Sequence, residues 1–164
     1  MDLRADITYP TPDPAAAFAL VTDREFREQV CAATMAHTYD ASITTHEDHG
    51  VSVTVIRELP ANLPPLIKKM VGETVKVVQT ETWSAPDDSG QRSADLLIEI
   101  VGQPAKMTGT MHLRRVGDAV VQEISGQVKA SVPFVGNKIE AELAEAVRAA
   151  ISVEQRLVTQ RLAG

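Results

Sequence analysis

Hydrophobic and polar positions alternate along most of the first 130 residues, and then the period changes. "LRADITYP" alternates and stops at Pro10, which predicts a first strand. "TPDPAAAFALV" supplies Asp13 as an N-cap with Pro14 in the first helical position, and in "TDREFREQVCAAT" Thr22 and Glu25 stand at capping-box spacing. Two short helices are predicted there. "MAHTYDASITTHEDHGVSVTVIREL" reads as a hairpin turning at "HEDHG", with Val51, Val53 and Val55 on one face and Ser52 and Thr54 on the other. "PANLPPLIKKMVG" carries three prolines and reads as a loop with a short helical piece ending at Gly72. "ETVKVVQTETWS", "ADLLIEIVG", "AKMTGTMHLRRV" and "AVVQEISGQVKASV" are further strands, the last two joined at Gly117-Asp118. In the last of them Val120, Ile124, Val128 and Val132 share one face, and Glu123, Gln127 and Lys129 the other.

After Pro133 the apolar residues recur every three or four positions. Ile139, Leu143, Val147, Ile151, Leu157 and Leu162 mark the seam of a long terminal helix whose start is predicted at Asn137, with Glu140 at capping-box distance. The order is strand, two short helices, about six further strands, then one long helix, so the predicted fold class is α+β. Helices are segregated to one side of a curved antiparallel sheet of about six or seven strands, and residues 1–164 form one domain. Burying each large apolar side chain is worth roughly 1.5–3 kcal/mol. The seam therefore needs a partner, and the concave face of the sheet is the one this chain offers. A helix of about twenty-five residues is roughly 38 Å long, longer than most strands here. The twisted sheet either packs the seam as filled core or stands away from its middle and leaves a chamber.

Composition narrows the roles. The chain is 44% hydrophobic and 23% charged, as in an ordinary folded protein, and its net charge of −6 with a pI near 5.2 argues against a basic face for nucleic acid or anionic lipid surfaces. No apolar run has the length of a membrane span or the setting of a signal peptide, so no integral membrane association is expected. A lone cysteine, Cys31, closes no internal disulfide and reads as a small buried hydrophobe, which points to the cytoplasm. His46 and His49 in "THEDHG" lack metalloprotease spacing and sit in a turn, while His37 and His112 are expected in strands, with His112 facing solvent. No metal is predicted. No phosphate-cradling glycine loop or G-x-S-x-G elbow occurs, and no cofactor is predicted.

The most informative strand is "VKVVQTETW", where Gln79, Glu81 and Trp83 share a face with Val75 and Val77. If that face is inward, Glu81 enters an apolar chamber as a polar contact or acid/base group. The other reading, favoured by the place of Trp83 near a strand end, has Trp83 covering a rim and Glu81 solvated. Residues expected to line a ligand cavity are Val53, Val55, Trp83, Leu96, Ile98, Met107 and Met111 from the sheet. From the helix they are Leu143, Val147 and Ile151, with Glu81 as the polar contact. The flexible thioethers of Met107 and Met111 suit either a pocket wall or core filling. No catalytic residue is assigned.

The element order, with "ITYPTPDPAAAFALVTDREFRE", "VTVIRELPANLPPLIKKMVG", "VVQTETW", "GQPAKMTGTMHLRR" and above all "VPFVGNKIE", resembles a mainly actinobacterial family of unknown function. That family lies in the START-like (SRPBCC, Bet v 1-like) superfamily, and the resemblance covers nearly the whole chain. It implies the helix-grip fold, in which a curved sheet grips the C-terminal helix over a hydrophobic tunnel that two short helices close at one end. The function it implies is binding of a hydrophobic small molecule or lipid. The alternatives are a polyketide cyclase/aromatase-like enzyme, with Glu81, Gln79 or Tyr39 as its polar group, and a co-chaperone-like interaction module with a filled core.

Overall fold

The computed structural model describes residues 1–60, 65, 68, 69, 72 and 74–163. Most of the "PANLPPLIKKMVG" connection, Met70 included, lies outside the described residues. The elements are β1 (Asp2–Tyr9), α1 (Pro14–Val21), α2 (Arg24–Ala33), β2 (Thr38–Thr45), β3 (Val51–Pro60), β4 (Thr74–Trp83), β5 (Arg92–Ile100), β6 (Ala105–Val116), β7 (Ala119–Ala130) and α3 (Gly136–Leu162). The strands form one antiparallel sheet in the order β1-β7-β6-β5-β4-β3-β2. β2 to β7 are a meander of hairpins. The chain's first strand joins its last, and α1 and α2 carry the backbone from one edge of the sheet to the other.

Alternation decides which face is buried. Val51, Val53 and Val55 of β3, Met107, Met111 and Leu113 of β6, and Val120, Ile124 and Val128 of β7 all lie in the core on the concave side. Gly109 and Gly126 face one another in the β6–β7 register, on the same side. A Cβ on Gly109 would stand 2.3 Å from the Ser125 carbonyl oxygen, and one on Gly126 would stand 2.6 Å from that of Thr108. Two opposed glycines thus let the backbones bend together where any side chain would hold them apart, and the sheet curves around the helix.

α3 has 27 residues, about 40 Å at 1.5 Å per residue. Its extensive contacts are with β1, β7 and α2. Gln155 fixes it along the outer edge: its Oε1 accepts from the Thr8 amide at 2.7 Å and its Nε2 donates to the Thr8 carbonyl at 2.8 Å. That side-chain amide takes the place of a further strand on β1.

Two predicted helix starts move. α2 is capped by Asp23, which accepts from the Glu25 and Phe26 amides, while Thr22 ends α1 and donates its hydroxyl to the Phe18 carbonyl. α3 begins at Gly136 with no side-chain cap, because Glu140 instead accepts from the Ala130 amide and pairs with the N-terminal amine. α1 starts as predicted, with Asp13 capping and Pro14 first. Among the described residues no helix is long and apolar enough to cross a membrane.

Candidate functional site

Because α3 packs chiefly on β1 and β7, its middle does not close on β3, β4 and β5. A cavity of about 630 Å³ lies between them. Val55, Val77, Leu96, Ile98 and Met111 line its sheet side, and Leu143, Val147 and Ile151 line its helix side. The three helix residues are only half-buried although they pack on the core, as expected for side chains that look across a space. Met35, just beyond α2, is 70% exposed and also lines the cavity, which places an opening there. A depression of about 720 Å³ beside α1, lined by Pro12, Asp13 and Arg115 among others, is wider, but it is open and its lining is mostly exposed residues. It is a surface dent.

The apolar chamber has a polar wall built on β4. Alternation turns Gln79, Glu81 and Trp83 inward, and Glu81 is 1% exposed. Arg27, from α2, meets Glu81 with both terminal nitrogens and also donates to the Val21 carbonyl at 3.4 Å. The other donors to Glu81 are the Trp83 indole N–H at 3.0 Å and the Gln79 amide at 2.7 Å. Arg57 in turn donates to Gln79 Oε1 at 3.2 Å. Trp83 is held edge-on by Phe18, ring centroids 5.4 Å apart. On β7, Gln122 accepts from the Tyr9 hydroxyl at 2.7 Å and donates to Met111 Sδ at 3.1 Å. Arg27, Glu81, Gln79 and Gln122 all reach the cavity wall.

Electrostatics separate the members of this cluster. Burial alone pulls the Arg27 pKa down, but Glu81 and then Glu154 outweigh it and hold the guanidinium above its usual value. Glu154, on the helix side of the cavity, is pushed up by burial, against the pull of Arg27. It has no hydrogen-bond partner among the described residues. Burial, then Glu154, pushes the Tyr9 phenol well above its ordinary range. Near the start of α3, Glu142 Oε2 is buried in the same wall with no hydrogen-bond partner among the described residues.

Several predicted positions fall elsewhere. Val53, Trp83 and Met107 are core residues that do not line the cavity; Trp83, at the end of β4, packs against Phe18 instead. Glu81 is buried and saturated by donors, which corrects the reading of a solvated Glu81 beneath a rim-covering Trp83. Tyr39 on β2 is exposed and away from the cavity. His37 precedes β2 rather than lying in it; His112 is exposed and bonds Ser93 Oγ at 2.9 Å. Among the described residues no three His, Cys, Asp or Glu converge as metal ligands. Cys31 is buried, and burial pushes its thiol up against the pull of Arg57 and Arg27. Sequence reasoning missed Arg27, Arg57, Gln122 and Glu154. The one signal was Arg27 itself, a charge four positions before Cys31 on the buried face of α2.

A seven-stranded sheet gripping a C-terminal helix, with two short helices at one edge, defines a START-like fold. The chain belongs to the DUF2505 family of proteins of unknown function, which it matches over residues 4–162. It is 28% identical over 118 residues to the uncharacterized protein Rv0481c of Mycobacterium tuberculosis, a match covering 69% of this chain and 66%, just under two thirds, of that protein. Three solved structures share the fold at low identity. A START superfamily protein from Mycobacterium smegmatis superposes with TM-score 0.60 at 12% identity, covering 97% of each chain. The Zhui aromatase/cyclase from Streptomyces sp. R1128 gives 0.56 at 10%, covering 99% of this chain and 93% of that one. A STAR-related lipid transfer protein from Xanthomonas axonopodis gives 0.54 at 11%, covering 93% and 84%.

Proposed function

We propose that this protein binds a hydrophobic small molecule or lipid in the cavity between the sheet and α3, in a cytoplasmic setting that suits its single buried cysteine. The observation that carries the reading is the cavity itself. A space of about 630 Å³ is within the usual range of small-molecule pockets, and most of its wall is apolar. The polar wall at Gln79 and Gln122 gives an amphiphile's polar group an anchor, while shape and greasiness select its body. The likeness to a lipid transfer protein supports the same class of ligand. Native mass spectrometry of the purified protein, with thermal shifts across a lipid panel, tests it. A retained or added lipid of one-to-one stoichiometry that raises Tm is expected; no adduct and no shift with any lipid tells against it.

One observation favours a second reading, a cyclase-like enzyme. Glu154 is a cavity carboxyl without a hydrogen-bond partner among the described residues, and burial raises its pKa. A carboxyl whose charged form is disfavoured by burial is the kind of group used to move protons. Glu81 is ill-suited to that task, since every partner it has is a donor. The interaction-module reading calls for a filled core, and the cavity argues against it.

A further inference from the structure

The net charge of −6 hides where the lysines lie. The six lysines of the chain are Lys68, Lys69, Lys76, Lys106, Lys129 and Lys138. The sheet register brings all of them to one end: the β3–β4 connection, the starts of β4, β6 and α3, and the end of β7. Lys106 and Lys129 stand directly opposite one another on β6 and β7, an arrangement of like charges that costs stability. The Val101 amide donates to the Lys76 carbonyl, and the Ser131 amide to that of Pro104, which ties these turns into one surface. All six lysines are exposed, and none forms an ion pair among the described residues. Glu58 and Glu99 lie opposite Lys76 and Lys106 in the register, and Glu140 is taken up by the N-terminal amine. At the far end the connections carry exposed Asp13, Glu47, Asp48, Asp87, Asp88 and Asp118. Arg92, Arg114 and Arg115 share that far end, so it is the lysines, rather than all positive charge, that are gathered at one end of the sheet.

In the middle of the lysine end the β7–α3 connection projects Phe134. Its side chain is fully exposed and its backbone is left-handed, with φ of 70°. A phenylalanine held in that strained conformation in water gains nothing for the fold. Val135 beside it and Val101 on the adjoining turn are exposed too.

We infer that this end docks on an anionic bilayer surface, with Phe134 as the wedge and the lysines as the electrostatic contact. A few apolar side chains are too small a patch for a stable protein interface. They suffice to enter a headgroup layer when juxtamembrane lysines add their attraction. The gathered, unpaired lysines turn this end toward a negative surface. Leu59, Val75 and Ile100, which line the cavity, come from the same ends of β3, β4 and β5, so docking would set the cavity beside the bilayer.

Vesicle flotation tests this without any assumption about the cavity ligand. The protein should float with vesicles of equal parts phosphatidylcholine and phosphatidylglycerol, not with phosphatidylcholine alone, and should be released by high salt. Lys106→Glu with Lys129→Glu should lower partitioning by about tenfold or more. Phe134→Asn, which suits the left-handed backbone, should weaken binding with an unchanged or higher Tm. Equal binding to neutral vesicles, no binding to either, or undiminished binding by the variants would overturn the proposal. So would a Phe134→Asn effect confined to the oligomeric mass. Loss of docking with lipid still bound in the cavity would separate this failure from failure of the ligand reading.

Discussion

Arg27 on α2 and Glu81 on β4 form a buried ion pair across 54 positions of sequence, and each is completed by neutral partners: Val21 for the arginine, Gln79 and Trp83 for the carboxylate. The pair joins the helical edge of the fold to the polar wall of the cavity. Removing one partner strands a charge in the interior, which costs about 3–5 kcal/mol. Arg27→Ala and Glu81→Ala should each lose that much in urea denaturation. Arg27→Met with Glu81→Leu should recover most of it, because two apolar side chains strand nothing. Additive losses would show that the two residues are not coupled.

Glu154 makes stability depend on pH with a definite sign. Its folded pKa is raised, so the folded state holds a proton that the unfolded chain releases at lower pH. The stabilisation is complete below the unfolded glutamate value and is lost as pH rises through the folded one. Wild type and Glu154→Gln should therefore match in stability near pH 4, with the variant gaining on wild type as pH climbs toward 8. Parallel curves over that range would place the carboxyl in water.

The opposed glycines set the bend of the sheet. Gly109→Ala would put a methyl group 2.3 Å from a backbone oxygen that cannot swing away. A loss of about 1–3 kcal/mol is expected, with exposed positions such as Thr110→Ala staying within about 0.5 kcal/mol. Thermal unfolding of the two variants checks the difference.

The Gln155 clamp on Thr8 gives a local readout. Gln155→Ala removes both bonds, at about 0.5–1.5 kcal/mol each. Hydrogen exchange at the Thr8 amide should quicken, while amides at the centre of β6 and β7 change little. Uniform quickening across the sheet would mean that the clamp is not local.

The succession of strands and the helix seam were legible because the period of apolar residues changes from two to between three and four near Pro133, and periodicity reports burial directly. The face of β4 was harder. Its inward side carries Gln79 and Glu81, so hydrophobicity gave no clear sign, and the arginine that makes Glu81 tolerable inside lies on a helix far back in the chain. Helix starts moved by a residue because Thr22 and Asp23 are both good caps and only geometry chooses between them. Glu140 has capping-box spacing, yet it serves the Met1 amine, a partner at the far end of the sequence. Whether Leu143, Val147 and Ile151 face core or space is invisible to periodicity, since both leave the same apolar stripe. The lysine cluster was masked by net charge, which sums over the whole chain and says nothing of where the lysines gather.

The central claim is that the space beneath α3 holds a ligand, and filling it tests that most directly. Val147→Trp places an indole in the cavity, where room exists, so Tm should hold within a few degrees. In native mass spectrometry with palmitic acid, wild type should show a one-to-one adduct that this variant lacks. An adduct on both proteins, or a collapse of Tm showing that Val147 faces filled core, would contradict the account.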